Sequence, residues 1–205
     1  MAPEPTVNMQ RRIMRDITDI SKMESDYILI DGDHLNYIKV VITGPPSSPF
    51  EGGIFEVTLD LHKFPAKPPK VVFETPVFHP NICPYEGKVC MNILNPTEWA
   101  PATRLVQILE AARSLLDQPN AASPLNGSAA CMLRMNQNMY VDTIRAWTHV
   151  FAGGDGSRVP QHMLDLMNQA TERLHITKAK ALRLLTRHEW IPNRLTRRSS
   201  EDESD

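Results

Sequence analysis

Residues 53–61, GIFEVTLDL, alternate without a break, with Phe55, Val57, Leu59 and Leu61 on one face and Glu56, Thr58 and Asp60 on the other. A period of two describes a strand with one buried and one wet face, and a helix cannot satisfy it. Similar runs lie on either side. YILI at 27–30 and NYIKVVIT at 36–43 are β-branched and aromatic, divided by the turn-prone Asp31-Gly32-Asp33. KVVFE follows FPAKPP, whose prolines stop one strand and set the entry to the next. Outside this block the period is helical. Met9, Ile13, Ile17 and Ile20 predict a helix over about 7–21, with Arg11, Arg12 and Arg15 on its other faces. Leu105, Ile108, Leu109, Ala112, Leu115 and Leu116 predict another, with Thr103 as N-cap and Asp117 to Pro119 as its end. Two more follow over about 127–136 and 137–151. A helix, four antiparallel-type strands, a long irregular segment and then helices make an α+β fold.

The first unit is expected to end at 151. AGGDGSR at 152–158 has the composition of a linker. Beyond it, Met163, Leu166, Met167, Ala170 and Leu174 form one helical stripe, and Leu182 and Leu185 belong to a second. Trp190, Ile191 and Leu195 point to a short third helix entered through Pro192. A small three-helix unit over 159–198 is the expectation, with eight Lys/Arg against three Asp/Glu. An acidic, disordered tail is expected at 199–205.

The totals narrow the function. A chain of 205 residues, 41% hydrophobic, holds one domain of usual size and a small appendage. A net charge of −2 implies no general attraction to nucleic acid or anionic membrane. No run of 18 apolar residues is present, and MAPEPTVNMQRR lacks the apolar core of a secretory signal. Three irregularly spaced cysteines do not make a disulfide framework. Free thiols in a reducing cytoplasm or nucleus are expected.

The stretch HPNICPYEGKVCMNIL, residues 79–94, admits three chemistries. A metal site fits poorly, since Cys83 and Cys90 lack a second Cys or His pair at zinc spacing, and no cofactor is called for. Cys131 reads as a small buried hydrophobe and Cys83 as a loop residue. A hydrolase would need an activated thiolate and an oriented base. His79, between Phe78 and Pro80, reads better as an imidazole fixing the loop by hydrogen bonds. The third chemistry is thiol exchange: an exposed cysteine takes an acyl group from another thioester with little change in free energy. An attacking lysine must then lose a proton from an ordinary pKa of about 10.4. An amide donor such as Asn81 would stabilise the oxyanion.

Motifs in order decide among these. ITGPPSSPFEGGIF, FPAKPPKVVF, HPN at 79–81, a cysteine nine residues after the Asn, WAPA, and a long helix ending QPN together resemble the ubiquitin-conjugating enzymes over 7–151. The resemblance implies that Cys90 accepts ubiquitin as a thioester from an activating enzyme, that Asn81 supports transfer to lysine, and that His79 holds the loop. Protein substrates and a RING-type ligase are the further partners implied, with no nucleic acid and no membrane. The extra residue between HPN and Cys, and RAWTHVFAGG, resemble the subgroup with a C-terminal ubiquitin-associated (UBA) domain, which builds chains. Conjugation of another ubiquitin-like modifier, or a catalytically silent adaptor, are the alternatives.

Several positions depart from the family pattern. Asn92 stands where many members have aspartate, and Ser123 where many have an acidic residue near the site mouth; a phosphate on Ser123 would supply that charge. On the ligase-facing loop Phe64-Pro65 is followed by Ala66 instead of an aromatic, which disfavours HECT-type ligases, while Trp99 and Pro101 remain for a RING type. Arg11, Arg12 and Arg15 match the basic first helix that meets the activating enzyme. The ubiquitin-contacting Met-Gly-Phe loop typical of UBA domains is absent.

Overall fold

The computed structural model describes residues 7–23, 26–31 and 35–195. The expected tail at 199–205, the end of the helical unit at 196–198 and the Gly32-Asp33 turn lie outside them. Helix α1 (Val7–Ser21) buries Ile13, Ile17 and Ile20, as its four, four, three spacing requires. Strands β1 (Tyr27–Asp31), β2 (Tyr37–Thr43), β3 (Ile54–Asp60) and β4 (Lys70–Phe73) form one antiparallel sheet in chain order. The β2–β3 register pairs Ile38 with Leu59, Val40 with Val57 and Ile42 with Phe55, all buried on the inner face. Helix α2 (Leu105–Asp117) contributes Leu105, Ile108, Leu109, Ala112 and Leu116 to the same core.

Arg104, rather than Thr103, occupies the position before α2. The capping comes from elsewhere: Gln107 Oε1 accepts the Arg104 N–H at 2.9 Å, and Asp16 Oδ2 of α1 accepts the Leu105 N–H at 3.2 Å. Helices α3 (Gly127–Met135) and α4 (Gln137–Ala152) start from Asn126 and Asn136, whose carboxamide oxygens accept from Ala129 and Met139 N–H. Gly153 closes α4 at φ 71°, a conformation that glycine enters without a Cβ penalty.

The segment expected as a linker is held along its length. Arg158 donates to the Glu51 and Ser48 carbonyls at 2.9 and 3.0 Å and pairs with the Glu51 carboxylate. Helices α5 (Gln161–Leu174) and α6 (Lys178–Arg187) follow, and the expected third helix is a single 3-10 turn at Pro192–Arg194. Met163, Met167, Leu182 and Leu185 join the apolar cluster that contains the sheet core. Two tryptophans clasp α4 to this unit: Trp147 Nε1 donates to Thr186 Oγ1, and Trp190 Nε1 to Thr143 Oγ1, each at 2.9 Å. The Arg183 guanidinium lies over both Trp147 and Phe151. Trp190 reaches Thr143 from a left-handed backbone, φ 61°, unusual for a large side chain.

Thr143→Val leaves the Trp190 indole N–H buried without an acceptor. Urea unfolding is expected to show a loss of about 1–3 kcal/mol. An unchanged unfolding midpoint would mean that the clasp carries no weight.

Candidate active site

Residues 79–81 follow β4 after a short irregular stretch, with Pro80 and Asn81 in a turn, and are gripped from three directions. The Pro80 carbonyl accepts the Leu125 and Asn126 N–H groups at 2.8 and 2.9 Å, fixing the approach to α3. The Asn81 carbonyl accepts the Cys90 N–H at 3.0 Å, and Ile82 bridges Val89, so residues 82–90 fold back as a small hairpin. Its turn needs Gly87: φ is 63°, and a Cβ there would sit 2.0 Å from the Phe73 carbonyl oxygen. The Asn81 side chain completes the grip. Its Nδ2 donates to the Asn120 carbonyl and its Oδ1 accepts the Asn120 N–H, both at 2.8 Å.

His79 is fully buried, and its Nδ1 accepts the Asn81 N–H at 3.1 Å. The ring proton therefore sits on Nε2, which is buried and makes no hydrogen bond of normal geometry. Burial lowers the pKa to about 4, with the Leu115 carbonyl opposing. His79 is thus neutral at physiological pH, and the Nδ1 lone pair that a base would use already holds the loop.

Cys90 is exposed. It lies in an open groove with Asn81, Asn92, Ser114, Gln118, Asn120 and Ser123, and the remaining wall is apolar: Met91, Ile93, Ala111 and Leu115. Among the described residues, no Asp, Glu, Lys, Arg or His lines this groove. Asn92 and Ser123 are exposed at it; Asn81, expected as an oxyanion donor, is only 2% exposed and has one amide hydrogen committed to Asn120. A carboxamide carries a second hydrogen, so one donor remains. The other thiols stand apart. Cys83 is half-buried in the turn, and Cys131, expected to be buried, is exposed on α3, because the helix turns Ala129 and Ala130 inwards instead.

A second cluster lies at the start of α2. Phe64, expected on the ligase-facing loop, is 1% exposed, with its ring against Trp99 and Arg12. The Phe64-Pro65 peptide is cis. Ala66 and Pro101 are exposed, Pro65 and Trp99 half so, and Trp99 Nε1 donates to the Pro65 carbonyl at 2.8 Å. Arg11 and Arg15 are exposed on α1, but Arg12 is half-buried and donates to the carbonyls of Pro101 and Thr103. Asp16, 1% exposed, and Asp19 accept from Arg104. Asn120 and Asp16 had no local signal in the sequence, because their partners lie 39 and 88 residues away.

Comparison with known proteins agrees with this arrangement. The family model for ubiquitin-conjugating enzyme matches residues 12–148. The chain is 32% identical over 146 residues to ubiquitin conjugating enzyme E2 B of Dictyostelium discoideum, covering 69% of this chain and 97% of that one. It is 38% identical over 123 residues to ubiquitin-conjugating enzyme E2 N of Macaca fascicularis, covering 60% and 80%. The solved E2 domain of a Toxoplasma gondii ubiquitin conjugating enzyme superposes with a TM-score of 0.64 at 31% identity, over 70% of this chain and 99% of that one. The chain belongs to the ubiquitin-conjugating enzyme family, transferases that work through a cysteine thioester. Ubiquitin and its activating enzyme are partners of the family, with ligases in general. The family match stops before α5 and α6.

His79 gives the site a pH signature. Its folded pKa of about 4 lies below the ordinary 6.5, so the unfolded chain binds the proton first as pH falls. The contribution is complete above pH 6.5 and is lost as pH drops towards 4, by about 3 kcal/mol. Urea unfolding at pH 7 and pH 4 should show the natural chain losing that much more stability than His79→Gln. Equal losses in the two proteins would contradict it.

Proposed function

We propose that Cys90 is the residue that carries ubiquitin and that the groove around it delivers the thioester to a lysine. The observation that supports this is an exposed thiol, tied through its own N–H to the Asn81 carbonyl, in a groove that no charged side chain lines among the described residues. Thioester exchange needs access and no strong base, and a hydrolase would need a base, which none of the described groove residues supplies. Asn81 has two roles: one amide hydrogen holds the Asn120 segment, and the other stabilises the oxyanion as lysine attacks. His79 holds the loop in its neutral form. Asn92 and Ser123 border the acceptor's path, and a phosphate on Ser123 would bring the anion that the groove lacks.

The remaining surfaces divide among partners. Arg11 and Arg15 meet the activating enzyme, with Arg12 between them. Pro65, Ala66, Trp99 and Pro101 face a RING-type ligase, with Phe64 packed beneath. The unit over 159–198 is UBA-like, as the helix pair and the Trp190 turn support, and the enzyme builds ubiquitin chains in the cytoplasm or nucleus. Conjugation of another ubiquitin-like modifier is the second reading, favoured by Asn92 at the groove.

The test is a loading assay with activating enzyme, ATP and ubiquitin. The chain should form a one-ubiquitin adduct that reductant removes. Cys83→Ala and Cys131→Ala should keep it, Cys90→Ala should lose it, and Cys90→Ser should give an adduct that resists reductant. A reductant-sensitive adduct surviving in Cys90→Ala would sink the assignment, and loading by a different modifier alone would move it to the second reading.

A further inference from the structure

Helix α1 carries Arg12, Asp16 and Asp19 at steps of four and three, which places all three on one face. That face is bound to the segment 101–105. Arg12 Nη2 donates to the Thr103 carbonyl at 2.7 Å and its Nη1 to the Pro101 carbonyl. Asp16 and Asp19 hold Arg104, and Asp16 also accepts the Leu105 N–H. Arg12 does more than its neighbours on the helix, because its guanidinium also lies 5.1 Å from the centre of the Phe64 ring. Phe64 in turn meets Trp99 edge to face, with ring centres 6.2 Å apart, and the Trp99 indole N–H is bonded to the Pro65 carbonyl.

Arg12 therefore backs the direct contact between the 64–66 and 99–103 loops: they meet through the Trp99–Pro65 bond and the Phe64–Trp99 ring pair, and Arg12 touches both loops from α1. Only a planar guanidinium can donate in two directions within its plane while offering a face to a ring. An ammonium in its place would keep the charge and lose one of those contacts. The exposed members of the two loops, Ala66 and Pro101, are set by what lies beneath them, namely Phe64, Trp99 and Arg12.

We propose that Arg12 is a positioning residue for the response to ligase: it holds the 64–66 and 99–103 loops in register, so that the thioester is discharged when a ligase docks there. The inference rests on the reading that these loops face the ligase. It differs from the expectation that Arg12 serves as a cation on the helix surface, because its donors already have acceptors within the chain.

The experiment uses the full chain with Arg12→Gln and Arg12→Lys, and Arg11→Gln beside them. Two readouts are taken. One is the Trp99 indole N–H resonance and its hydrogen exchange, which needs no ligase. The other is the discharge rate of preloaded thioester with a RING-type ligase, divided by the ligase-free rate of the same thioester. That ratio removes any effect on loading. Arg12→Gln is expected to shift the Trp99 resonance, speed its exchange and lower the ratio about tenfold. Arg12→Lys should fall between the two, and Arg11→Gln should leave the Trp99 resonance in place.

A Trp99 resonance unmoved in Arg12→Gln overturns the positioning role. A moved resonance with an intact ratio overturns its consequence for discharge. If Ala66→Glu and Pro101→Glu then also leave the ratio intact, the ligase-facing reading has failed instead, and the two failures are told apart.

Discussion

The Asn81 carboxamide and the Asn120 backbone exchange two hydrogen bonds of 2.8 Å, and the site depends on that pair. Through it the segment that follows the sheet is bound to the segment that leaves α2. Pro80 extends the grip to the start of α3, and the Asn81 carbonyl extends it to Cys90. His79 closes the arrangement from below through its Nδ1. Three consecutive residues thus connect the end of the sheet, the end of α2, the start of α3 and the thiol. A buried amide so engaged is costly to disturb, since every lost partner leaves a desolvated polar group.

The same geometry limits what chemistry the groove performs. With His79 buried, neutral and already accepting, its imidazole is not free to act as a base for Cys90. With Asn92 and Ser123 uncharged at the groove, no carboxylate among its described lining residues draws in the ammonium of a lysine. The thiol is suited to accept and release an acyl group, and selection of the acceptor is left to what docks around it. The C-terminal helices are fixed relative to this groove by the two tryptophan clasps on α4.

What the sequence made legible follows the range of each signal. The stripe in α1 and the alternation in β3 are local periodicities, and both elements formed where the period placed them. Motif order pointed to HPN and Cys90 together, and the hairpin at 82–90 brings the cysteine back to the Asn81 carbonyl. Arg12 was not, because a basic residue on an amphipathic helix looks solvated until its acceptors, 89 and 91 residues away, are in view. The α2 cap was missed for the same reason: Asp16 supplies an oxygen that local reading sought in Thr103. Glycine-rich composition at 152–158 reported backbone freedom but not the contact of Arg158 with a loop more than a hundred residues earlier. Burial misled at Cys131, where neighbouring alanines took the inner face.

The most direct test of a groove whose described lining holds neither base nor anion is the pH dependence of discharge from loaded Cys90 to free lysine, with no ligase present. If the lysine loses its proton unaided, the rate follows its free-amine fraction. It should rise about tenfold per pH unit from pH 6 to pH 9 without levelling, as an ordinary amine of pKa about 10.4 requires. A plateau with an inflection near pH 7 to 8 would show that the groove supplies a base or lowers the lysine pKa, and would contradict the account.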